Sequence, residues 1–143
     1  MKCTVIIDES REEVIIRTKR VTDKIENLIN LIEKDDSPTV LGYRESEIVP
    51  QSVCDAICFF IEDGHVFIMT NEGNFRLRER LYTIEAMLPD NFVKINQSCI
   101  ANMQAIKKFE ASYGGALRVI FKNGHSDYVS RRQLKQVKIR FGL

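Results

Sequence analysis

Four cysteines, Cys3, Cys54, Cys58 and Cys99, and two histidines, His65 and His125, are the residues from which a metal site or a nucleophilic centre would be built. Their spacing favours neither. Cys54 and Cys58 are four positions apart, which is not the two-residue gap of a zinc knuckle, and no histidine pair completes a ligand set. The cysteines lie in apolar contexts and read as reduced core residues. His65 and His125 each follow a glycine, far apart in the chain, with no recognisable Ser or Cys motif beside them. A glycine-rich phosphate loop is missing as well. The sequence gives no support to catalysis, a bound metal or a cofactor, and the expectation is a protein that is not an enzyme.

Two polar clusters are more informative. Ser130-Arg131-Arg132-Gln133 has the S-x-x-Q spacing of a capping box, so Ser130 is expected to start a final helix. Arg131 and Arg132 then fall in its first turn, where each cation opposes the helix dipole by about 0.3–1 kcal/mol. A bound phosphate reverses that sign, because helix N–H groups and two guanidinium groups would converge on one anion. The plainer alternative is a pair of solvated arginines that tolerate a small penalty. Lys135, Lys138 and Arg140 add positive charge downstream. The second cluster is Lys94-Ile95-Asn96-Gln97-Ser98. Asn96 and Gln97 could bond adenine bidentately and Lys94 could reach guanine or phosphate, but the same run also suits an ordinary polar loop. Lys107-Lys108 reads as solvated strand surface.

Charge distribution separates these readings from bulk composition. The 143 residues are 44% hydrophobic and 29% charged, with a net charge of only +1. Residues 1–92 hold 11 Lys/Arg against 18 Asp/Glu, whereas residues 93–143 hold 10 against 2. Such asymmetry between halves is a recognised hint of a polyanion-binding face. No apolar run approaches the roughly 20 residues of a membrane span, and the N-terminus is acidic where a signal peptide needs an apolar stretch. No membrane insertion is expected, and the expected location is the cytoplasm.

The elements that must position these residues fall into two parts, residues 1–40 and residues 41–143. In the first, Lys2 to Ile7 reads as a short strand, and Glu13 to Thr18 is open between strand and helix entry. A helix is expected from Thr22, with Ile25, Leu28, Ile29 and Ile32 at helical spacing, closed by the polar run Glu33 to Pro38. This part is too small to hold a core alone. In the second, Tyr43 to Val49 reads as a strand. Ile57 to Ile61 and Val66 to Thr70 flank Asp63-Gly64, a strong hairpin signal. Phe75 to Leu77 follows, then a short helix over Arg80 to Leu88 stopped by Pro89. Strands are expected at Phe92 to Ile95, Ile106 to Phe109, Leu117 to Phe121 and Asp127 to Val129. Gly114-Gly115 and Asn123-Gly124 supply turns, and Ser130 to Phe141 is the last helix. Phe92, Phe109, Phe121 and Tyr128 are expected in the core, with Tyr113 open to solvent. The fold class is mainly β, α+β overall.

The strings FVKINQSCIANMQAIKKF and NGHSDYVSRRQLKQVK resemble the LytTR family of bacterial DNA-binding domains. The residues that carry the likeness are Phe92, Lys94, Asn96, Ser98, Ile100, Asn102, Ile106, Asn123-Gly124 and Val129-Ser130-Arg131-Arg132. ICFFIEDGHVFIMT and RLYTIEAMLPDNF resemble the family's opening hairpin and short helix, so the likeness covers about residues 44–143. It implies an elongated antiparallel β domain that presents loops to successive major grooves of double-stranded DNA. By position, the DNA-facing residues would be His65, Lys94, Asn96, Gln97, Ser98, Arg131 and Arg132. Gln97 and Cys99 depart from the residues usual at their places in the family. The resemblance further implies a homodimer on promoter repeats, and the short N-terminal part is like that of stand-alone LytTR regulators without a receiver domain, where it would serve dimerisation. The rival expectation is a protein-interaction module whose basic face binds an acidic partner.

Overall fold

Asp63 and Gly64 take left-handed backbone angles, with φ of 51° and 77°, and turn the chain back on itself as their side chains predict. The hairpin they close belongs to the second of two units in a computed structural model that describes residues 2–35 and 37–143. The units part after Glu33.

The first unit leads into α1 (Asp23–Asp35). Thr22 opens it as predicted: its carbonyl accepts from Glu26 N at 2.9 Å and its hydroxyl from Ile25 N at 3.4 Å. Asp23 and Glu26 place negative charge in the first turn, where the helix dipole favours it. The strand expected at Lys2 to Ile7 is not formed. A strand exists only as part of a ladder, and no described residue of this unit pairs with it, so Val5, Ile6 and Ile7 remain 83%, 84% and 91% exposed. Glu13 to Thr18 is irregular too. The helix stop expected over Glu33 to Pro38 falls partly outside the described residues, at Asp36.

The second unit contains β1 (Thr39–Arg44), β2 (Glu47–Ser52), β3 (Cys58–Glu62), β4 (His65–Thr70), β5 (Gly73–Leu77), α2 (Leu81–Met87), β6 (Phe92–Asn96), β7 (Cys99–Asn102), β8 (Ile106–Ala111), β9 (Leu117–Phe121), β10 (Ser126–Val129) and α3 (Arg131–Phe141). Seven strands form one antiparallel sheet in the order β2-β1-β5-β4-β3-β7-β6, and three form a second in the order β10-β9-β8. Tyr43 to Val49 is not one strand. Glu45 adopts a φ of 53° and bends the chain between β1 and β2 without a glycine to signal it.

Burial along the central strands explains their nearly unbroken apolar sequence. Cys58, Cys99, Ala101, Val93 and Ile95 point to one side of the large sheet, where they meet Leu117, Val119 and Phe121 of the small sheet and Val137 of α3. Phe59, Ile68, Ile100 and Phe92 point to the other side and meet Val53, Ala56, Leu81 and Ile84. The central strands are thus covered on both faces, which removes the alternation of a one-sided sheet. Phe92 and Phe121 are core as expected and Phe109 packs against it, whereas Tyr128 is 63% exposed. Tyr128 sits on β10 opposite Arg118, on the face of the small sheet turned from the core. No described helix is long and apolar enough to cross a membrane, which does not bear on spanning by strands.

Candidate nucleic-acid interface

Three segments distant in sequence meet at one end of the large sheet. The first is the tip of the β3–β4 hairpin, where His65 pairs with Glu62 and is exposed. The second is the two-residue turn Gln97-Ser98 between β6 and β7, with both side chains exposed. The third is the start of α3, where Arg131 and Arg132 are exposed and form no ion pair among the described residues. Backbone bonds stitch them together. Ile61 N donates to Ser98 O at 2.9 Å, joining the first segment to the second, and Ser130 N donates to Ile95 O at 2.9 Å, joining the second to the third.

Asn96 is in this cluster but not on its surface. It is 2% exposed, and its amide is fully engaged. Nδ2 donates to Tyr128 O at 2.9 Å and to Asp127 Oδ1 at 3.1 Å, while Oδ1 accepts from Ser98 N at 2.8 Å. With both amide hydrogens and the oxygen engaged internally and the side chain buried, Asn96 does not face a base. The register explains the placement. Lys94 pairs with Ile100 but Asn96 pairs with Cys99, so a β-bulge inserts one residue at Ile95. Strict alternation would send Asn96 to the side opposite Ile95, but the bulge turns both inward.

Lys94 is half-buried, and its Nζ lies 3.9 Å from Glu85 Oε2 on α2. Its charge is therefore shared with a neighbouring carboxylate. Arg140 is also committed, because it donates to the carbonyls of Asp90 and Phe92 and fastens α3 to the start of β6. Lys135 and Lys138 stay exposed on α3. Ser130 stands at the helix N-cap with φ −68° and ψ 154°, but its hydroxyl makes no cap bond, and Gln133 N bonds the Ser130 carbonyl instead. The capping box expected from S-x-x-Q is therefore not closed. The first turn of α3 contains no acid, and its positive end is bordered by two arginines.

Asp127 is the residue of this site that sequence reasoning missed. Its Oδ1 accepts both Asn96 Nδ2 and Tyr128 N, the latter at 2.8 Å. One signal was available: in residues 93–143 the acids are Glu110 and Asp127 alone.

The unit is thus a β scaffold that presents polar and basic side chains from one end. The chain belongs to the LytTR DNA-binding domain family, whose model matches residues 46–142. An uncharacterized HTH-type transcriptional regulator of Staphylococcus aureus strain NCTC 8325 is 33% identical over 146 residues, covering 100% of this chain and 99% of the relative. A counterpart so named in the bovine strain RF122 is 32% identical with the same coverage. Among solved structures, the LytTr DNA-binding domain of a protein described as a methyl-accepting/DNA response regulator from Bacillus cereus superposes with a TM-score of 0.69 at 19% identity. It covers 73% of this chain and 97% of that one, a likeness in fold. In the present chain α2 and α3 are separated by five strands and so do not form a helix-turn-helix pair.

Proposed function

We propose that this protein is a bacterial, cytoplasmic transcriptional regulator that binds double-stranded DNA sequence-specifically as a homodimer. His65, Gln97 and Ser98 enter the major groove as loop residues, with Lys94 supporting the same surface. Arg131 and Arg132 meet phosphate or guanine at the open N-terminus of α3. The observation that carries this reading is the stitching of the three segments by the Ile61–Ser98 and Ser130–Ile95 bonds. It puts directional hydrogen-bonding groups and uncompensated cations on one edge. Bulk charge alone would hold any polyanion, whereas Gln97 and Arg132 can distinguish bases. Membership of a DNA-binding family and relatives named as transcriptional regulators support the same assignment. Asn96 serves from inside, as a support of the turn.

The dimer is assigned to residues 1–40, where apolar side chains of the first unit, including Val5, Ile6, Ile7 and Leu31, are exposed. Selecting bound duplexes from a random pool with the full chain tests the DNA reading. Enrichment of one motif, present as two repeats for a dimer, supports it. Retention of duplexes without any enriched motif counts against sequence reading and in favour of a surface for an acidic protein. Sedimentation of the full chain beside one beginning at Thr39 tests the dimer, and a truncated chain that stays dimeric rules out the N-terminal segment as its cause.

A further inference from the structure

Asp127 is a carboxylate where a DNA-binding surface least tolerates one. Phosphates repel it, and it subtracts from the cation count of the basic half. The other acid of that half, Glu110, lies beside Lys108, with 3.4 Å between Oε1 and Nζ. Asp127 has no such cation partner among the described residues. Two N–H donors meet its Oδ1, Tyr128 N at 2.8 Å and Asn96 Nδ2 at 3.1 Å, and the buried Cys99 thiol also hydrogen-bonds the carboxylate. Hydrogen bonds to an ionised acceptor are roughly twice as strong as neutral ones. They fix which way the Asn96 amide faces: only its NH₂ end can serve both Tyr128 O and Asp127, so its oxygen is left aimed at Ser98 N, which it meets at 2.8 Å.

We propose that Asp127 is a specificity-determining positioning residue. Acting through Asn96, it holds the Gln97-Ser98 turn at a set distance from Arg131 and Arg132 without itself touching DNA. This rests on the DNA-binding reading above. The backbone bond from Ser130 N to Ile95 O brings the two segments together, and the Asp127–Asn96–Ser98 chain of side-chain bonds then removes the freedom that remains at the turn. A reader on one loop and a reader on a helix start can discriminate a sequence only if their separation matches the spacing of the base edges. Asp127 thus weakens attraction to any duplex and sharpens the choice among duplexes.

The sign of one substitution separates this from simple charge. Asp127→Asn keeps the shape and removes the negative charge. Electrostatics alone predicts tighter binding to every duplex. Positioning predicts about tenfold or more weaker binding to the duplex that the wild-type chain selects from a random pool, with equal or tighter binding to a scrambled duplex of the same composition. In the free protein, exchange of the Ser98 amide should accelerate while the unfolding midpoint stays close to wild type. Asn96→Asp puts two carboxylates face to face and should lose the same discrimination. The double variant Asn96→Asp with Asp127→Asn restores a donor–acceptor pair and should recover part of it. Parallel changes on both duplexes, or unchanged Ser98 exchange in Asp127→Asn, would overturn the proposal. If the wild-type chain selects no duplex at all, the DNA reading fails by itself, and the positioning role stands or falls on the Ser98 exchange rate.

Discussion

The backbone N–H of Ile61 donates to the carbonyl of Ser98 at 2.9 Å, so the hairpin that carries His65 and the turn that carries Gln97 move as one piece. Ladder pairing of Phe60 with Cys99 extends this junction into the sheet. His65 and the Gln97 turn continue from strands covered by core on both faces, which is the rigidity that a loop-based reader requires.

Arg132→Ala and Lys94→Ala should weaken DNA binding in different ways. Loss of a base-reading arginine costs about 1–3 kcal/mol and relaxes preference at one base position. Loss of a phosphate contact lowers affinity for all duplexes and flattens the salt slope by about one unit. Lys94, already 3.9 Å from Glu85, should show the second pattern. Fluorescence anisotropy at four or so salt concentrations distinguishes them.

Asn102→Ala should be strongly destabilising. The Asn102 side chain is 5% exposed, donates to Ala56 O at 2.8 Å and accepts from Asn91 Nδ2 and Gln104 N at 3.0 Å each. Truncation leaves those groups without partners at about 1–3 kcal/mol for each one that stays buried. Urea denaturation would register the loss, and a variant within about 0.5 kcal/mol of wild type would contradict the assigned role.

Gly42→Ala and Gly64→Ala should both destabilise, for unrelated reasons. A Cβ on Gly42 would stand 2.7 Å from Cβ of Phe75, a clash with a fully buried ring that overpacks the core by about 1–3 kcal/mol. A Cβ on Gly64 meets nothing, but the φ of 77° there strains any L side chain by about 1–2 kcal/mol. Thermal melts should therefore show losses of similar size for the two variants.

The Cys99 thiol is pushed far above the ordinary thiol value of 9.0, first by its hydrogen bond with Cys58 and then by burial. In the folded chain it keeps its proton, whereas the unfolded chain releases it above pH 9.0. The unfolded state then binds fewer protons, so the stability this thiol contributes is intact below that pH and declines above it, by at most about 1.4 kcal/mol per pH unit. Denaturation between pH 8.5 and 10.5 or so should show a shallower decline in Cys99→Ala than in wild type. Under native conditions Cys3, which is exposed, should react with a thiol reagent while Cys58 and Cys99, both buried, should not.

Legibility in the sequence followed how local each cause is. The Asp63-Gly64 turn, the stop at Pro89 and the C-terminal helix are written within a few residues, and α2 differs from expectation by one residue at each end and α3 by one at its start. Glu45 turns the chain without a glycine, so β1 and β2 looked like one strand. Asn96 and Asp127 were harder still. Nothing near Asn96 shows that a bulge rotates it inward or that its acceptors arrive from a strand some thirty residues later. A buried amide and a DNA-reading amide have the same letter, and only the count of hydrogen bonds already made distinguishes them.

The central claim is that the joined loops read sequence. Its most direct test is the affinity of the full chain for its selected duplex relative to a scrambled duplex at one physiological salt concentration. The account predicts a preference of about 10³-fold or more, cut sharply in Arg132→Ala. A ratio near one in the wild-type chain would contradict it.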